Sequence, residues 1–320
     1  MMVMAVKALI TVIKLLLLFL VVPGFIFTGL MGLVTTWIDR KVSARVQWRQ
    51  GPPWFQPFAD ILKLLGKETI VPEGGSVLTF LGAPVVAIAA VTLVSTMLWV
   101  LNFNLASGFV GDLIVLIYLL TIPSLALIVG GSASRNPLAA LGASREMKLI
   151  LAYELPFILA VFTVVAKAGS IVIGQIIAYQ AASGMIFLSF SGAIACLVTL
   201  LVVQAKLGYL PFDMPEAEQE LMGGPLLEYS GPALAAFKLA KAMLFFVLPV
   251  FMITLFLGGI QISSLTGISW FVLKYVVIVT LIVLVKNTNP RVKIEQAVRF
   301  FWGPMTALAI IGFVLALFGL

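Results

Sequence analysis

The stretch GYLPFDMPEAEQELMGGPLLEYSGP, residues 208–232, lies between two long apolar runs and is dense in acidic side chains. Five of the thirteen acidic residues of the chain fall within it: Asp213, Glu216, Glu218, Glu220 and Glu228. A polar segment between two apolar runs is typical of a connection between membrane-spanning helices. Carboxylates are costly at a lipid boundary, and their presence there indicates a function. The stretch therefore predicts a helical membrane protein whose chemistry concerns protons.

The composition outside this stretch also indicates a membrane protein. The chain is 62% hydrophobic and 10% charged, with a mean hydropathy of +1.17, whereas an ordinary soluble domain is about half apolar and a quarter charged. Apolar runs of roughly 20 residues recur, the length of helix that crosses about 30 Å of hydrocarbon. We predict an all-α integral membrane protein forming one membrane domain over residues 1–320. Its eight spans are about 8–36, 77–101, 110–131, 149–167, 186–205, 236–257, 269–286 and 301–319.

The basic residues divide the connections between these spans into two sets. The formal charge is +7, and sixteen of the twenty basic residues lie in or beside the first, third, fifth and seventh connections. Those connections cover residues 37–76, 132–148, 206–235 and 287–300. The positive-inside rule then places them in the cytoplasm, with both termini outside the cell membrane and a long first and fifth connection. Topology thus accounts for the charge, and we expect a lipid bilayer rather than nucleic acid as partner.

The first connection contains one further helical pattern. Residues 54–65 place Phe55, Phe58, Ile61, Leu62 and Leu65 at helical spacing. A helix lying in the membrane interface fits this pattern, and so does a helix docked on a partner protein.

Within the acidic stretch, the order Asp213-Met-Pro-Glu216 predicts a short helix that Asp213 caps and that stops at Gly223-Gly224-Pro225. One interpretation is that the acids only start this surface helix. However, Glu216 and Glu220 are four residues apart and would repel each other on one helix face. The chain also has no basic residue between Lys206 and Lys238. Crowded carboxylates near lipid are expected to share protons and titrate as a group, which suits proton transfer.

Glu154 is the second candidate, about five residues into the predicted fourth span and so roughly 8 Å deep. An ionised acid within a span costs about 3 kcal/mol, which favours a functional role. The alternative is a carboxylate that reaches the interface or pairs with Lys148 or Arg145. The chain has one cysteine, Cys196, and no histidine, so its own thiolates cannot hold an iron–sulfur cluster. We expect no catalytic residue, cofactor or metal in this chain.

Three groups of residues resemble one family. The first connection contains Ala44-Arg45-Val46-Gln47, Gly51-Pro52 and Gln56-Pro57-x-Ala59-Asp60-x-x-Lys63. The fourth span contains Ser144-Arg145 and Ala152-Tyr153-Glu154. The acidic stretch contains Pro211-Phe212-Asp213-x-Pro215-Glu216-Ala217-Glu218, then Glu220 and Glu228-Tyr229-Ser230-Gly231. Together they resemble the membrane subunit shared by respiratory complex I and the energy-converting nickel–iron hydrogenases.

The resemblance implies a subunit at the junction between a membrane arm and a peripheral redox arm. Its cytoplasmic face would dock an iron–sulfur small subunit and a hydrogenase-like large subunit, and its acids would lead toward antiporter-like membrane subunits. Iron–sulfur clusters and a possible NiFe site would belong to these partners. The coupling acids implied are Asp213, Glu216, Glu218, Glu220, Glu228 and Glu154, and the docking residues are Arg45, Asp60, Lys63 and Arg145.

Two departures separate the chain from the quinone-reducing members of this family. The loop at residues 51–57 is shorter, and Lys241 stands thirteen residues after Glu228, where those members usually carry an acid. The resemblance is closer to the hydrogenase branch and implies an ion-translocating, ferredoxin-dependent hydrogenase or a related sulfane sulfur reductase. A quinone-site subunit of a complex I-type dehydrogenase is the second hypothesis. A stand-alone secondary transporter is the third, but its expected pair of broken helices is not evident.

Overall fold

The computed structural model describes residues 12–261 and 264–320, with the side chain of Glu218 excluded. These residues are helical and connecting segments, and they confirm the predicted all-α class. The α-helices are α1 (Phe25–Val46), α2 (Gln56–Leu65), α3 (Val77–Phe103), α4 (Asp112–Ala133), α5 (Pro137–Ala168), α6 (Ile173–Ser183), α7 (Phe190–Lys206), α8 (Glu218–Leu221), α9 (Gly231–Phe256), α10 (Leu265–Thr288), α11 (Ile294–Phe300) and α12 (Thr306–Leu317).

Seven helical segments of the described residues are long and apolar enough to cross a membrane. The first is Val12–Val46, which adds a helical stretch ahead of α1, and the last is Ile294–Leu317, in which a π turn joins α11 to α12. Residues 8–11 of the predicted first span lie outside the described part. The remaining predicted span, 186–205, corresponds to α7, which is apolar but has only 17 residues. At 1.5 Å per residue α7 is about 26 Å long, slightly short of the hydrocarbon thickness.

The odd-numbered connections meet at one end of the helix bundle, which we call the odd end. Hydrogen bonds join the first connection to the fifth, the third to the fifth, and the seventh to the fifth. The pairs are Ile70–Ser230 (3.0 Å), Asn136–Glu228 (2.6 Å) and Arg291–Asp213 (2.6 Å). The even-numbered connections are joined in the same way at the other end. Those pairs are Asp112–Ile173 (3.0 Å), Asn102–Ile260 (2.8 Å) and Gln180–Gly258 (2.9 Å).

Helix α9 is the centre of the bundle. In its most apolar 18-residue window, 89% of the residues are buried, and Phe245, Phe246 and Phe251 are fully buried. Helix α1 approaches it closely at Gly32, where a Cβ would come within 2.6 Å of the Ala242 carbonyl oxygen. Small residues allow such approach where lipid removes the hydrophobic drive for helix association.

The helix that carries Glu154 is longer than the span predicted for it, which affects the site. Helix α5 begins at Pro137 rather than near residue 149 and has 32 residues, so Glu154 lies near its middle and not five residues from its start. The polar cluster Ser144, Arg145, Glu146 and Lys148, which precedes the long apolar run, hid this extension. The predicted helix at residues 54–65 is present as α2, with Phe55, Leu62 and Leu65 exposed.

Candidate functional site

The acidic loop, defined as residues 207–230, folds back over the odd end of the bundle. Its buried apolar side chains are Leu207, Phe212, Met214, Ala217, Leu221 and Tyr229. The ring of Phe212 lies 4.8 Å from that of Phe301, centroid to centroid. Pro225 packs between Gly131 of α4 and Gly142 of α5, where a Cβ on Gly142 would come within 2.6 Å of the proline ring. The loop therefore holds its carboxylates at fixed positions against the helices.

Each carboxylate of the loop whose side chain is described has its own partner from another element. The pairs are Asp213–Arg291 (2.6 Å), Glu216–Lys241 (2.5 Å), Glu220–Arg145 (2.5 Å) and Glu228–Asn136 (2.6 Å). The side chain of Glu218 lies outside what the structure describes. The absence of basic residues from the loop itself is thus offset by cations from α5, α9 and the seventh connection. The four described acids form separate pairs rather than one mutually repelling group.

The predicted cap at Asp213 is wrong. The Asp213 side chain accepts no hydrogen bond from the following turn. It accepts two from Arg291 instead, from Nε at 2.7 Å and Nη2 at 2.6 Å, because a bidentate guanidinium is a stronger donor than a backbone amide. Residues 214–216 form a 3₁₀ turn, and α8 is only four residues long. It stops before Gly223, as predicted, and Gly223 has a left-handed φ of 104°.

Glu154 pairs with Lys206, a residue that the sequence analysis placed only among the basic residues of the connections. The Lys206 Nζ lies 3.1 Å from Glu154 Oε2, and Thr121 Oγ1 donates to Oε1 at 3.2 Å. Lys206 is 1% exposed and its ammonium lies over the rings of Tyr153 and Phe157, at 4.8 and 4.7 Å. The predicted alternative partners, Lys148 and Arg145, do not pair with Glu154; Arg145 binds Glu220.

A cavity of about 200 Å³ connects the acidic loop with the partner of Glu154. We call it the inner cavity. Its charged lining residues are Asp213, Glu216, Glu146, Lys206, Lys238 and Lys241. Asp213 and Glu216 thus face the same space as Lys206, whereas Glu220 and Glu228 are not among its lining residues. Of the predicted acids, the structure brings Asp213, Glu216 and Glu154 close to one path and leaves Glu220 and Glu228 at the edge of the loop.

Glu146 is a buried acid that the sequence analysis missed. It is 5% exposed and lies on α5 at the wall of the inner cavity. The signal was its spacing, because Glu146 precedes Glu154 by eight residues and so lies about 80° from it around the helix axis, within one broad helix face. That signal was not used because the fourth span was expected to begin only at residue 149.

The path continues from the inner cavity to α1 and α10. The Tyr209 ring lies 5.6 Å from the Lys241 ammonium and 4.6 Å from that of Lys286, and Lys286 pairs with Asp39 at 2.7 Å. Burial, with the nearby charges of Asp39 and Glu216, raises the pKa of the Tyr209 hydroxyl well above its usual range, so the hydroxyl keeps its proton. We call the whole series the charge row. Its members are Asp39, Lys286, Tyr209, Lys241, Glu216, Glu146, Lys206 and Glu154.

The four predicted docking residues lie toward the odd end, but they differ in exposure and in their salt bridges. Arg45 and Lys63 are exposed. Asp60 pairs with Arg40 at 2.7 Å; burial alone would raise the pKa of Asp60, but hydrogen bonds from Arg40 and Gln56 and the charge of Arg40 leave it below its usual value. Arg145 holds Glu220. Two of the four are therefore available to a partner, and two fix the protein's own structure.

No group of three or more Cys, Asp or Glu side chains within residues 12–261 and 264–320 is placed to hold a metal ion. The charge row itself contains three acid–base pairs, Asp39–Lys286, Glu216–Lys241 and Glu154–Lys206, whose side chains can carry protons.

Comparison with known proteins is consistent with this arrangement. Residues 13–317 match the family described as NADH dehydrogenase. An NADH-quinone oxidoreductase subunit of Anoxybacillus flavithermus is 35% identical, covering 94% of this chain and 91% of that protein. Its counterpart in Geobacillus kaustophilus is 33% identical, with 93% and 90% covered. A chain of the membrane-bound sulfane sulfur reductase, an archaeal respiratory membrane complex, superposes with a TM-score of 0.83 at 29% identity, covering 91% of this chain and 96% of that one. The chain therefore belongs to the NADH dehydrogenase family and is a membrane subunit of an oxidoreductase complex.

Proposed function

We propose that this chain is the coupling subunit of an ion-translocating redox complex. It anchors a peripheral arm to the membrane and converts the electron transfer in that arm into proton movement within the bilayer. An electron arriving beside the odd end changes the electric field at Glu216. The protonation of Glu216 and of the inner cavity then shifts, and the change passes to Glu154.

The observation that carries this proposal is the continuity of the charge row. It runs from Asp39 on α1 to Glu154 in the middle of α5, and each base along it pairs with an acid. Buried ion pairs are a weak source of stability because desolvation offsets most of their attraction. Seven charged side chains and a tyrosine in one row are therefore better explained by charge transfer than by folding.

The odd end is the proposed docking face. The four odd-numbered connections meet there, and Arg45 and Lys63 are exposed. Asp60 and Arg145 stabilise the same end through their salt bridges with Arg40 and Glu220. An iron–sulfur small subunit and a hydrogenase-like large subunit would dock there, in the cytoplasm. Antiporter-like membrane subunits would receive the signal from Glu154. The clusters, and any NiFe site, would lie in the partners.

The terminal reaction that we favour is ferredoxin-dependent reduction of protons or sulfane sulfur. The fold of the sulfane sulfur reductase chain and the cation Lys241 within the charge row support this choice. The second candidate is a quinone-site subunit, which the identity of 35% to an NADH-quinone oxidoreductase subunit favours. A quinone-site inhibitor discriminates the two, because it would stop turnover of the complex only in the second case. A stand-alone transporter would instead show ion flux when the chain is reconstituted alone in liposomes.

The direct test is Glu216→Gln in the intact complex, reconstituted in liposomes. We expect electron transfer to continue while ion translocation falls by tenfold or more, since glutamine keeps the shape of the side chain but not its charge. Glu295→Gln is the matched control, because Glu295 is an exposed acid at the start of α11. Normal translocation by the Glu216 variant, or an equal loss in the control, would contradict the proposal.

A further inference from the structure

A second cavity, bordered by Lys238 and Lys241 on the side of the inner cavity, lies between α1, α2 and α9. Its volume is about 540 Å³. We call it the outer cavity. Its charged lining residues are Arg40, Lys63, Lys67, Lys238 and Lys241, with Asp39 and Asp60. Five cations against two acids give this lining a net charge of +3.

The acids near the outer cavity already form salt bridges. The pairs are Asp60–Arg40, Asp39–Lys286 and, from the inner cavity, Glu216–Lys241. In the described part of the chain, Lys63, Lys67 and Lys238 make no salt bridge with a carboxylate. These three lysines thus line one concave space without a salt bridge, although the charge of Lys238 is close enough to act on Asp60. Like charges held together repel, and an anion of suitable size would relieve that repulsion.

The surroundings of the outer cavity are those of a membrane surface. On α2 and just before it, Trp54, Phe55, Leu62 and Leu65 are 66, 50, 68 and 52% exposed. On α1, Ile26 and Leu30 are 49 and 50% exposed. An amphipathic helix with exposed aromatic and aliphatic residues beside lysines lies in the interface and attracts anionic lipids. The exposed apolar residues are therefore placed to contact the acyl chains of a lipid whose headgroup lies at the lysines.

We propose that the outer cavity binds the headgroup of an anionic phospholipid. Lys63, Lys67 and Lys238 contact its phosphate, and its acyl chains lie along the exposed apolar residues of α1 and α2. The lipid ties α2 to α9 at the base of the odd end. This inference does not depend on the coupling role of the charge row.

The test measures binding of fluorescently labelled phosphatidylglycerol to the purified complex in detergent. We expect Lys67→Gln/Lys238→Gln to weaken binding about thirtyfold, since a lysine near a membrane surface contributes about a factor of five to the affinity for anionic lipid. This pair omits Lys63, so that a loss of partner docking is not mistaken for a loss of lipid. Binding by the unaltered complex should also fall as salt is raised.

Lys148→Gln/Lys293→Gln is the matched control, because both lysines are exposed, belong to the odd-numbered connections by sequence and do not line the outer cavity. An equal loss of lipid binding in the control pair would show that general surface charge causes the effect, and would contradict a specific site. Displacement of the lipid by an equal concentration of glycerol 3-phosphate would show a soluble phosphate ligand instead. Equal binding of phosphatidylcholine, or salt-independent binding, would also overturn the proposal. A melting curve of each variant complex confirms that the fold is retained.

Discussion

Lys206 is the residue on which the membrane-embedded part of the charge row depends. Its ammonium is 1% exposed, yet it faces one carboxylate directly and shares the inner cavity with Glu146. Two aromatic rings cover it at less than 5 Å. A buried cation of this kind is stabilised mainly by its partner, and so is the partner. Removing either one alone leaves an uncompensated charge.

We therefore predict that Lys206→Met destabilises the protein by about 3 kcal/mol, the usual cost of leaving half of a buried ion pair. Lys206→Met/Glu154→Gln should recover most of this loss, because neither side chain then carries a charge. Thermal melting of the purified complex measures both. Lys293→Met, at an exposed lysine, is the control and should change little. A double variant as unstable as the single one would show that Lys206 stabilises by packing alone.

The next scale is the acidic loop as an element. Its position depends on contacts with helices distant in sequence, chiefly the Asp213–Arg291 pair and the packing of Pro225 against Gly131 and Gly142. These two contacts lie on opposite sides of α8. They can therefore be disturbed separately, and each disturbance should be visible in its own half of the loop.

For the first contact, we predict that Asp213→Asn loosens residues 209–217. The variant loses a charge-assisted bidentate pair, at a cost of about 2 kcal/mol. Hydrogen exchange in this segment should rise, together with that of Val292, whose amide bonds to the Pro211 carbonyl at 3.1 Å. Glu220→Gln is the comparison, since its pair with Arg145 is half exposed and such pairs contribute about 0.5 kcal/mol. An equal rise in hydrogen exchange for the two substitutions would contradict the claim that the Asp213 pair stabilises the loop more than the Glu220 pair.

For the second contact, we predict that Gly142→Ala displaces the loop. The added methyl group would lie 2.6 Å from the Pro225 ring and 2.8 Å from the Gly224 backbone, and neither can move without shifting the loop. Faster proteolysis between residues 222 and 230 measures the displacement, and ion translocation should fall with it. Gly82→Ala, on α3, is the control because its Cβ would meet nothing within 4 Å. Unchanged proteolysis in the Gly142 variant would show that the loop adapts.

At the scale of the whole molecule, the apolar runs were sufficient to predict the helices, because lipid requires every backbone amide to bond within its own helix. The alternation of basic connections likewise predicted which connections share one end. The pairings were not predictable. Arg291 is 78 residues from Asp213, and Lys206 is 52 from Glu154. A single sequence records the charges but not which ones the bundle brings together, and Glu146 was lost for the further reason that its helix begins earlier than hydropathy indicates.

The distribution of basic residues also predicts the orientation of the molecule in the membrane. We propose that the odd end faces the cytoplasm, because sixteen of twenty basic residues belong to it by sequence and basic connections resist translocation. In a Cys196→Ala background, Lys293→Cys and Ser183→Cys place one exposed thiol at each end. A membrane-impermeant maleimide should label only the Ser183→Cys variant in intact cells, and both variants after permeabilisation. Labelling of the Lys293→Cys variant in intact cells would show instead that the odd end lies outside the cell. An electron donor in the cytoplasm could then not reach the acidic loop.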